Sequence, residues 1–504
     1  MARFLGRYLV WVLLAIAPTI VYPPDLLRAE NIQVAQPKVC ASQLEAEINQ
    51  IAQMPNLRVS RLGVFVTPLS ESPKALVNLD GDKYFIPASN AKLLTTAAAL
   101  RLLGLNYRIR TTLNATQPIA AEGEIMGGLW VVGSGDPSFT TDALKTLVKQ
   151  LVQKGVKRIR GGIYAMPQFR SPGLGMGWEW QDLQEYYGAI AHALTINGNV
   201  LDWTIRPSQV GQPIDFSWDS PGLASGWTVE NQARTGAQGS TYSLKVERPF
   251  NAQQLTISGQ MPQDSDPELG ATAVSDPSAH FLKLLTAELI AQGIQIDSPS
   301  SPVDTASRQN LGLPTLELAS VASPTIAELV RTTNKDSNNL YAELLLRQLG
   351  WRSPQKNTQK DAQADASEAG IQAVTAFIQK QGIPSNSFNL ADAAGLSRRN
   401  SIAPRAIVQL LQIMHSDRAF RDSLAIAAVD GTLKNRFQNT PAQANLSGKT
   451  GTLSDVVSLS GYVKPAAYDE LAFSIMLNHS DRPAEEVRAM VDAIALLLTR
   501  VQRC

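Results

Sequence analysis

LSGKTGTL, residues 446–453, decides the fold, because it fits two templates with different architectures. Gly448-Lys449-Thr450 is how a phosphate-binding P-loop ends. That loop needs G-x-x-x-x-G-K-[ST], since two glycines let backbone N–H groups wrap the phosphates. With Gly448 as the second glycine the first falls at Gln443, and the upstream TPAQAN does not read as a strand. The P-loop template fails where its mechanism needs glycine. What remains is a strand-like segment carrying Lys449-Thr450-Gly451, followed by strand-like SLSGYVKP and ELAFSIML.

Two other short motifs precede it in a fixed order, Ser89-Asn90-Ala91-Lys92 and Ser337-Asn338-Asn339. The first opens SNAKLLTTAAALRLLG (89–104), a helical pattern closed by Gly104 and apolar around most of its circumference. Such a helix belongs in the middle of a domain, yet Ser89 and Lys92 stand at its start. Serine is a poor nucleophile and needs a nearby base. Residues i and i+3 share a helix face, so Lys92 reaches the Ser89 hydroxyl. Burial and a second cation lower a lysine pKa, and Lys449 can be that cation. The N–H of Ser89, one of the unpaired groups at a helix start, is free for an oxyanion.

Taken singly, each motif is weak. Ser353-Pro354-Gln355-Lys356 also fits S-x-x-K, but lies in a polar stretch with nothing to desolvate its lysine. Ser387-Phe388-Asn389 also fits S-x-N, and Ser337 can simply cap the following helix. The ordered trio of S-x-x-K, S-x-N and K-T-G is far more specific, and its three contexts are a buried helix, a helix start and a strand.

Apolar residues make up 44% of the 504 and charged residues 18%, an ordinary globular balance for about three domains. The net charge of +1 leaves no dominant basic surface, so nucleic acid is not an expected partner. His192, His280, His415 and His479 are scattered and read as structural; no Cys/His cluster has metal-ligand spacing, and neither metal nor cofactor is expected. Arg3 and Arg7 precede LVWVLLAIAPTIV, an apolar run of 13 residues at 9–21. That order describes an export leader and is short for a membrane span. Arg28-Ala29-Glu30 is a poor cleavage site, so residues 1–29 read as a signal peptide or an uncleaved anchor, and the chain as exported and periplasmic, tethered to the membrane through the N-terminus only if the leader stays uncleaved. Export permits disulfides. Cys40 opens one helical pattern and Cys504 closes another; if those helices pack antiparallel the sulfurs meet, and otherwise both thiols are free.

Along the chain, 41–54 reads as a helix and 57–68 as a strand ahead of the Ser89 helix. From 106 to 310 short strand-like segments alternate with Gly/Pro/Asp/Ser turns, interrupted by helical patterns at 140–155 and 279–293. This predicts an inserted, β-rich α+β region of two subdomains. From 311 long helices return before the three closing strands and a last helix.

Longer stretches carry a family resemblance. GSGDPSF (133–139), GWEWQDLQEYYGA (177–189), NKDSNNLYAELLLRQLG (334–350), DAAGLSRRNSIAP (392–404) and VDGTLKNR (429–436) resemble segments of low-molecular-mass class C penicillin-binding proteins, the D-alanyl-D-alanine carboxypeptidase/endopeptidase family. The resemblance runs from about residue 40 to the C-terminus. It implies an α+β transpeptidase domain of the serine β-lactamase type, an antiparallel sheet between helices, built from 40–105 and 311–504 with accessory domains between. It implies attack by Ser89 on the penultimate D-alanine carbonyl with Lys92 as base, and a proton relay through Ser337 bridged to Lys92 and Lys449. Asn339 is then the peptide-binding amide, Lys449 and Thr450 of the Lys449-Thr450-Gly451 strand hold the terminal carboxylate, and the N–H groups of Ser89 and Thr452 form the oxyanion hole. Partners are peptidoglycan peptides, with β-lactams as covalent inhibitors. The family pairs its N- and C-terminal helices, which favours a Cys40–Cys504 bridge. Two positions depart from the pattern: Ala394 replaces the usual Ser, and Ala165 stands where the family carries an Asp associated with the diamino acid of the stem peptide. Two alternatives stay open: a slow-turnover penicillin-binding sensor or wall-binding scaffold, and a Ser-Lys esterase or β-lactamase, the latter disfavoured by the long insertion.

Overall fold

The computed structural model describes residues 38–54, 59–70, 74–169, 175–249, 252–298, 301–302, 314–352 and 366–504. The leader read at 1–29, most of the Pro-containing stretch before 310 and Ser353–Lys356 lie outside them.

The chain opens with β1 (Val39–Cys40) and α1 (Leu44–Ala52), then the paired strands β2 (Arg61–Pro68) and β3 (Val77–Leu79). A 3-10 turn, Ala88–Ala91, runs into α2 (Lys92–Leu102). Every residue of α2 from Lys92 to Leu100 is buried, as its all-round apolar pattern requires.

The insertion follows at once. Its first body is a sheet of β4 (Arg108–Ala115), β5 (Leu129–Gly133) and β6 (Ile163–Pro167), with Ser301–Pro302 at one edge and β7 (Leu316–Thr325) at the other. The helices α3 (Thr141–Gln153) and α4 (Pro277–Ala291) cover it through Leu144, Leu147, Leu151, Phe281 and Leu285. A second, smaller body of short strands packs around Trp203, Ile205, Leu255 and Ile257. The entry strand β4 and the exit strand β7 pair antiparallel, so the chain leaves and re-enters the first domain side by side. β7, which follows the expected return at 311, thus belongs to the insertion's sheet. The polar, Pro-containing LELASVASPT is a half-exposed edge strand and lacks the apolar run that marks an interior one.

After β7 come α5 (Ile326–Lys335), α6 (Asn339–Trp351), α7 (Ala366–Lys380), α8 (Pro404–Met414) and α9 (Arg418–Ser423). Thr325 caps α5 through a reciprocal pair with Glu328. The chain closes with β8 (Ala425–Ile426), β9 (Leu446–Leu453), β10 (Val456–Val463), β11 (Leu471–Asn478), α10 (Ala484–Leu498) and β12 (Val501–Gln502). Six strands form one antiparallel sheet in the order β8-β9-β10-β11-β2-β3.

Successive side chains of a strand face opposite ways, and the sheet uses both faces. Val64, Val66, Leu459, Ile475 and Leu477 pack with Leu44 and Ile48 of α1 and Val491 and Ile494 of α10. Phe65, Tyr462 and Met476 pack with α2 and α8 on the other side. The sheet thus lies between helical layers, and β9 runs beside the start of α2. Among the described residues no helix is long and apolar enough to cross a membrane.

Candidate active site

Ser89 lies in the 3-10 turn, half-buried, after Ala88 in a left-handed conformation (φ 47°). Left-handed alanine is strained and persists only where the surroundings over-determine it. Here Asn478 of β11 grips Ile86 at both backbone groups (2.7 and 3.1 Å), and Ser458 of β10 donates to Pro87 O at 2.7 Å. Two central strands thereby fix the approach to Ser89.

Lys92 is fully buried, and its Nζ donates to Ser89 Oγ (2.8 Å), Asn339 Oδ1 (2.7 Å) and Ala394 O (2.5 Å). Burial lowers its pKa to about 7 against the opposing charges of Asp392 and Glu343. A neutral amine is thus within reach near neutral pH, with its lone pair available to the Ser89 proton.

Ser337 is left-handed (φ 57°) and directly precedes Asn338, which caps α6 by accepting from Tyr341 N. Its Oγ accepts from Lys449 Nζ at 2.8 Å, and Lys449 also donates to Thr450 O at 2.8 Å. Lys449 is fully buried; burial first, and the charge of Lys92 second, hold its pKa well below the usual lysine value. Of the Ser337 bridge implied above, the arm to Lys449 is formed. The other is not: Lys92 spends its three donors on Ser89, Asn339 and Ala394. Asn339 is engaged at both ends, because its Nδ2 donates to Tyr187 O of the insertion at 2.9 Å.

Lys449 and Gly451 share one face of β9 by the two-residue period, and that face meets the Ser89 turn. A Cβ on Gly451 would sit 2.9 Å from Ser89 N and 2.3 Å from Ser458 Oγ. Glycine here is what lets the strand pass against the backbone of Ser89. β8 pairs only with Ser447 and Gly448, so from Lys449 to Leu453 that edge has no strand partner among the described residues. Thr450 Oγ1 donates to Thr432 Oγ1 at 2.8 Å, and Thr452 follows on the same strand.

The sequence profile of the D-Ala-D-Ala carboxypeptidase 3 (S13) family matches residues 44–501. The chain belongs to this family. It is 31% identical over 477 residues to the D-alanyl-D-alanine carboxypeptidase of Actinomadura sp. (strain R39), spanning 91% of this chain and 84% of that one. It is 27% identical to the penicillin-sensitive carboxypeptidase A of Dictyostelium discoideum, over 86% of this chain and 85% of that one. The crystal structure of penicillin binding protein 4 from Haemophilus influenzae superposes with a TM-score of 0.75 at 23% identity, covering 90% of this chain and 98% of that one, and shows the common fold. This S13 protein is a serine-type D-Ala-D-Ala carboxypeptidase/endopeptidase that acts on peptidoglycan.

The two departures from the family pattern now have physical readings. The S13 chain uses the carbonyl of Ala394, not its side chain, so the missing hydroxyl leaves the contact to Lys92 intact. Ala165 is buried in β6 within the insertion's own core and does not face the Ser89 cluster. Several residues inside the quoted segments make contacts that their motifs did not assign. Buried Asp392 accepts from Gly395 N, Ser397 N, Asn400 Nδ2 and Trp178 Nε1, and so shapes the loop that carries Ala394. Gly395 (φ 83°) backs onto Ala88 O, where a Cβ would come within 2.0 Å. Lys335 Nζ holds Asp430 at 2.6 Å and thereby sets the D-G-T-L turn that delivers Thr432.

Cys40 and Cys504 are disulfide-bonded with Cα atoms 5.6 Å apart. The parallel pairing of β1 with β12 brings them together, beside the packing of α1 on α10.

Proposed function

We propose that Ser89 is the nucleophile and Lys92 its general base, in a reaction that splits the terminal D-Ala-D-Ala peptide or an equivalent cross-link. Ser89 Oγ bonds to the carbonyl carbon of the penultimate D-alanine while neutral Lys92 takes the hydroxyl proton. The oxyanion sits between the N–H groups of Ser89 and Thr452. The Ser337 hydroxyl, held by Lys449, gives its proton to the leaving amine as the C–N bond breaks, and the Lys92 ammonium then swings to Ser337 and restores that proton, so that Lys92 is neutral again for deacylation. Water then attacks the acyl ester, returning free Ser89 and the shortened peptide. Lys449 and Thr450 hold the substrate carboxylate at the unpaired edge of β9, and Asn339 Nδ2 turns from Tyr187 O to the substrate's peptide. A β-lactam acylates Ser89 in the same way, but its ring nitrogen stays attached.

The observation that carries this reading is the buried Lys92 amine, 2.8 Å from Ser89 Oγ and fixed by two further acceptors. A dry site makes such a lysine a base near neutral pH. Because the substrate is peptidoglycan, the leader at 1–29 carries the catalytic body out of the cytoplasm and tethers it where cleavage fails. The test is labelling with a fluorescent penicillin followed by an assay of D-alanine release from a pentapeptide. Wild type should label and release D-alanine, and Ser89→Ala should do neither. Equal labelling of Ser89→Ala would reject the site; labelling without release would favour a slow-turnover penicillin sensor.

A further inference from the structure

Glu343 lies four residues after Asn339 on α6, so both side chains point from the same helix face. It is 2% exposed, between Ala342 and Leu344 and one turn from Leu340 and Leu346. Its Oε1 accepts two adjacent backbone donors, Ala393 N at 2.8 Å and Ala394 N at 2.9 Å. Its Oε2 accepts from Arg347, itself 3% exposed, at 2.7 Å. A buried ion pair contributes little net stability, and apolar residues of similar volume are often as stable or better. The pair therefore needs another reason to occupy an otherwise hydrophobic helix.

That reason lies at the carbonyl of the second of these residues. The Ala394 carbonyl accepts from Lys92 Nζ at 2.5 Å and from Ser89 Oγ at 3.4 Å. Its direction is set by the peptides on either side, and Glu343 clamps the donor side. We propose that Glu343 is a positioning residue for acylation: its carboxylate, bonded to Ala393 N and Ala394 N, aims the Ala394 carbonyl at Lys92 and adds a buried negative charge to those that face the base. This rests on Lys92 being the base.

The charges that face Lys92 come from three elements. Asp392, in the 391–400 loop, and Glu343, on α6, favour the protonated amine; Lys449, on β9, opposes it. Arg347, whose charge also reaches His192, offsets part of the field of Glu343. Taking the charge from Glu343 while keeping its shape leaves Arg347 and Lys449 against a single buried carboxylate, and Lys92 sheds its proton at lower pH. Taking away Arg347 has the opposite sign.

The experiment is the pH dependence of the second-order acylation rate with a chromogenic β-lactam, for the full chain and three variants, with folding checked by thermal melting. In wild type the rate should rise with pH through about 7. In Glu343→Gln the limb should move about one unit to lower pH, and the plateau should fall about tenfold because the carbonyl is less well aimed. In Arg347→Met the limb should move to higher pH. Glu343→Asp, which keeps the charge but retracts it, should keep the wild-type limb and lose only plateau rate. A limb that does not move in a folded, acylating Glu343→Gln or Arg347→Met protein overturns the proposal, whatever happens to the plateau. Should Glu343→Gln fail to fold, the Arg347→Met profile decides alone. Failure of wild type to acylate would instead strike the Ser89–Lys92 reading beneath it.

Discussion

At the residue scale, the site depends on two lysines that have lost their water. Burial lowers both, and each charge disfavours the other, so the pair carries fewer than two protons near neutrality. The base form of Lys92 grows as pH rises through about 7, so acylation should be slow in acid and rise toward a plateau above that point. A stopped-flow β-lactam titration from acid to mild alkali checks the sign; a rate that falls across the same range would exclude Lys92 as the base. That Lys92 meets Ser89 and that Ser337 meets Lys449 was legible, because residue type, short spacing and motif order encode it. The carbonyls of Ala394 and Tyr187 were not, since a backbone acceptor has no residue signature. Glu343 and Asp392 were hidden for a related reason: they act on backbone N–H groups, and nothing in their spacing from Lys92 says so.

At the element scale, the unpaired edge of β9 and the start of α2 must meet without intervening side chains. Gly451→Ala would place a methyl within 2.9 Å of Ser89 N, so the strand or the turn has to shift. A displacement of that kind should cost about a hundredfold in acylation rate while the six-stranded sheet survives; circular dichroism and penicillin kinetics measured together would show it. Thr452→Ala should be nearly silent, because only its backbone N–H is assigned a role. The apolar wrap of 89–104 announced a buried helix, and α2 is one, preceded by a 3-10 turn where Ser89 sits. The strand Leu316–Thr325 escaped notice because an edge strand with Ser, Ala and Pro has neither clean alternation nor a continuous apolar run. Its pairing with β4 is a long-range fact that local pattern cannot carry.

At the scale of the whole molecule, the insertion both divides the catalytic domain and closes its wall. It enters and leaves through paired strands, and it returns Trp178 to Asp392, Glu179 to Arg398 and the Tyr187 carbonyl to Asn339. The presence of an insertion was legible from its turn-rich composition; its contact with the site was not. The Cys40–Cys504 bridge ties the two ends of the catalytic domain across 464 positions. Replacing both cysteines by serine should remove roughly 2–5 kcal/mol of stability, read as a lower melting temperature under oxidising conditions. The rate per folded molecule should be unchanged, because β1 and β12 do not reach the Ser89 cluster. The most direct test of the whole account is the position of the acyl group. After brief exposure to benzylpenicillin, proteolytic peptide mass mapping should place a single adduct on Ser89, with none in Lys92→Met within the same time. An adduct on any other residue, or full and equally rapid labelling of Ser89 without Lys92, would contradict the account.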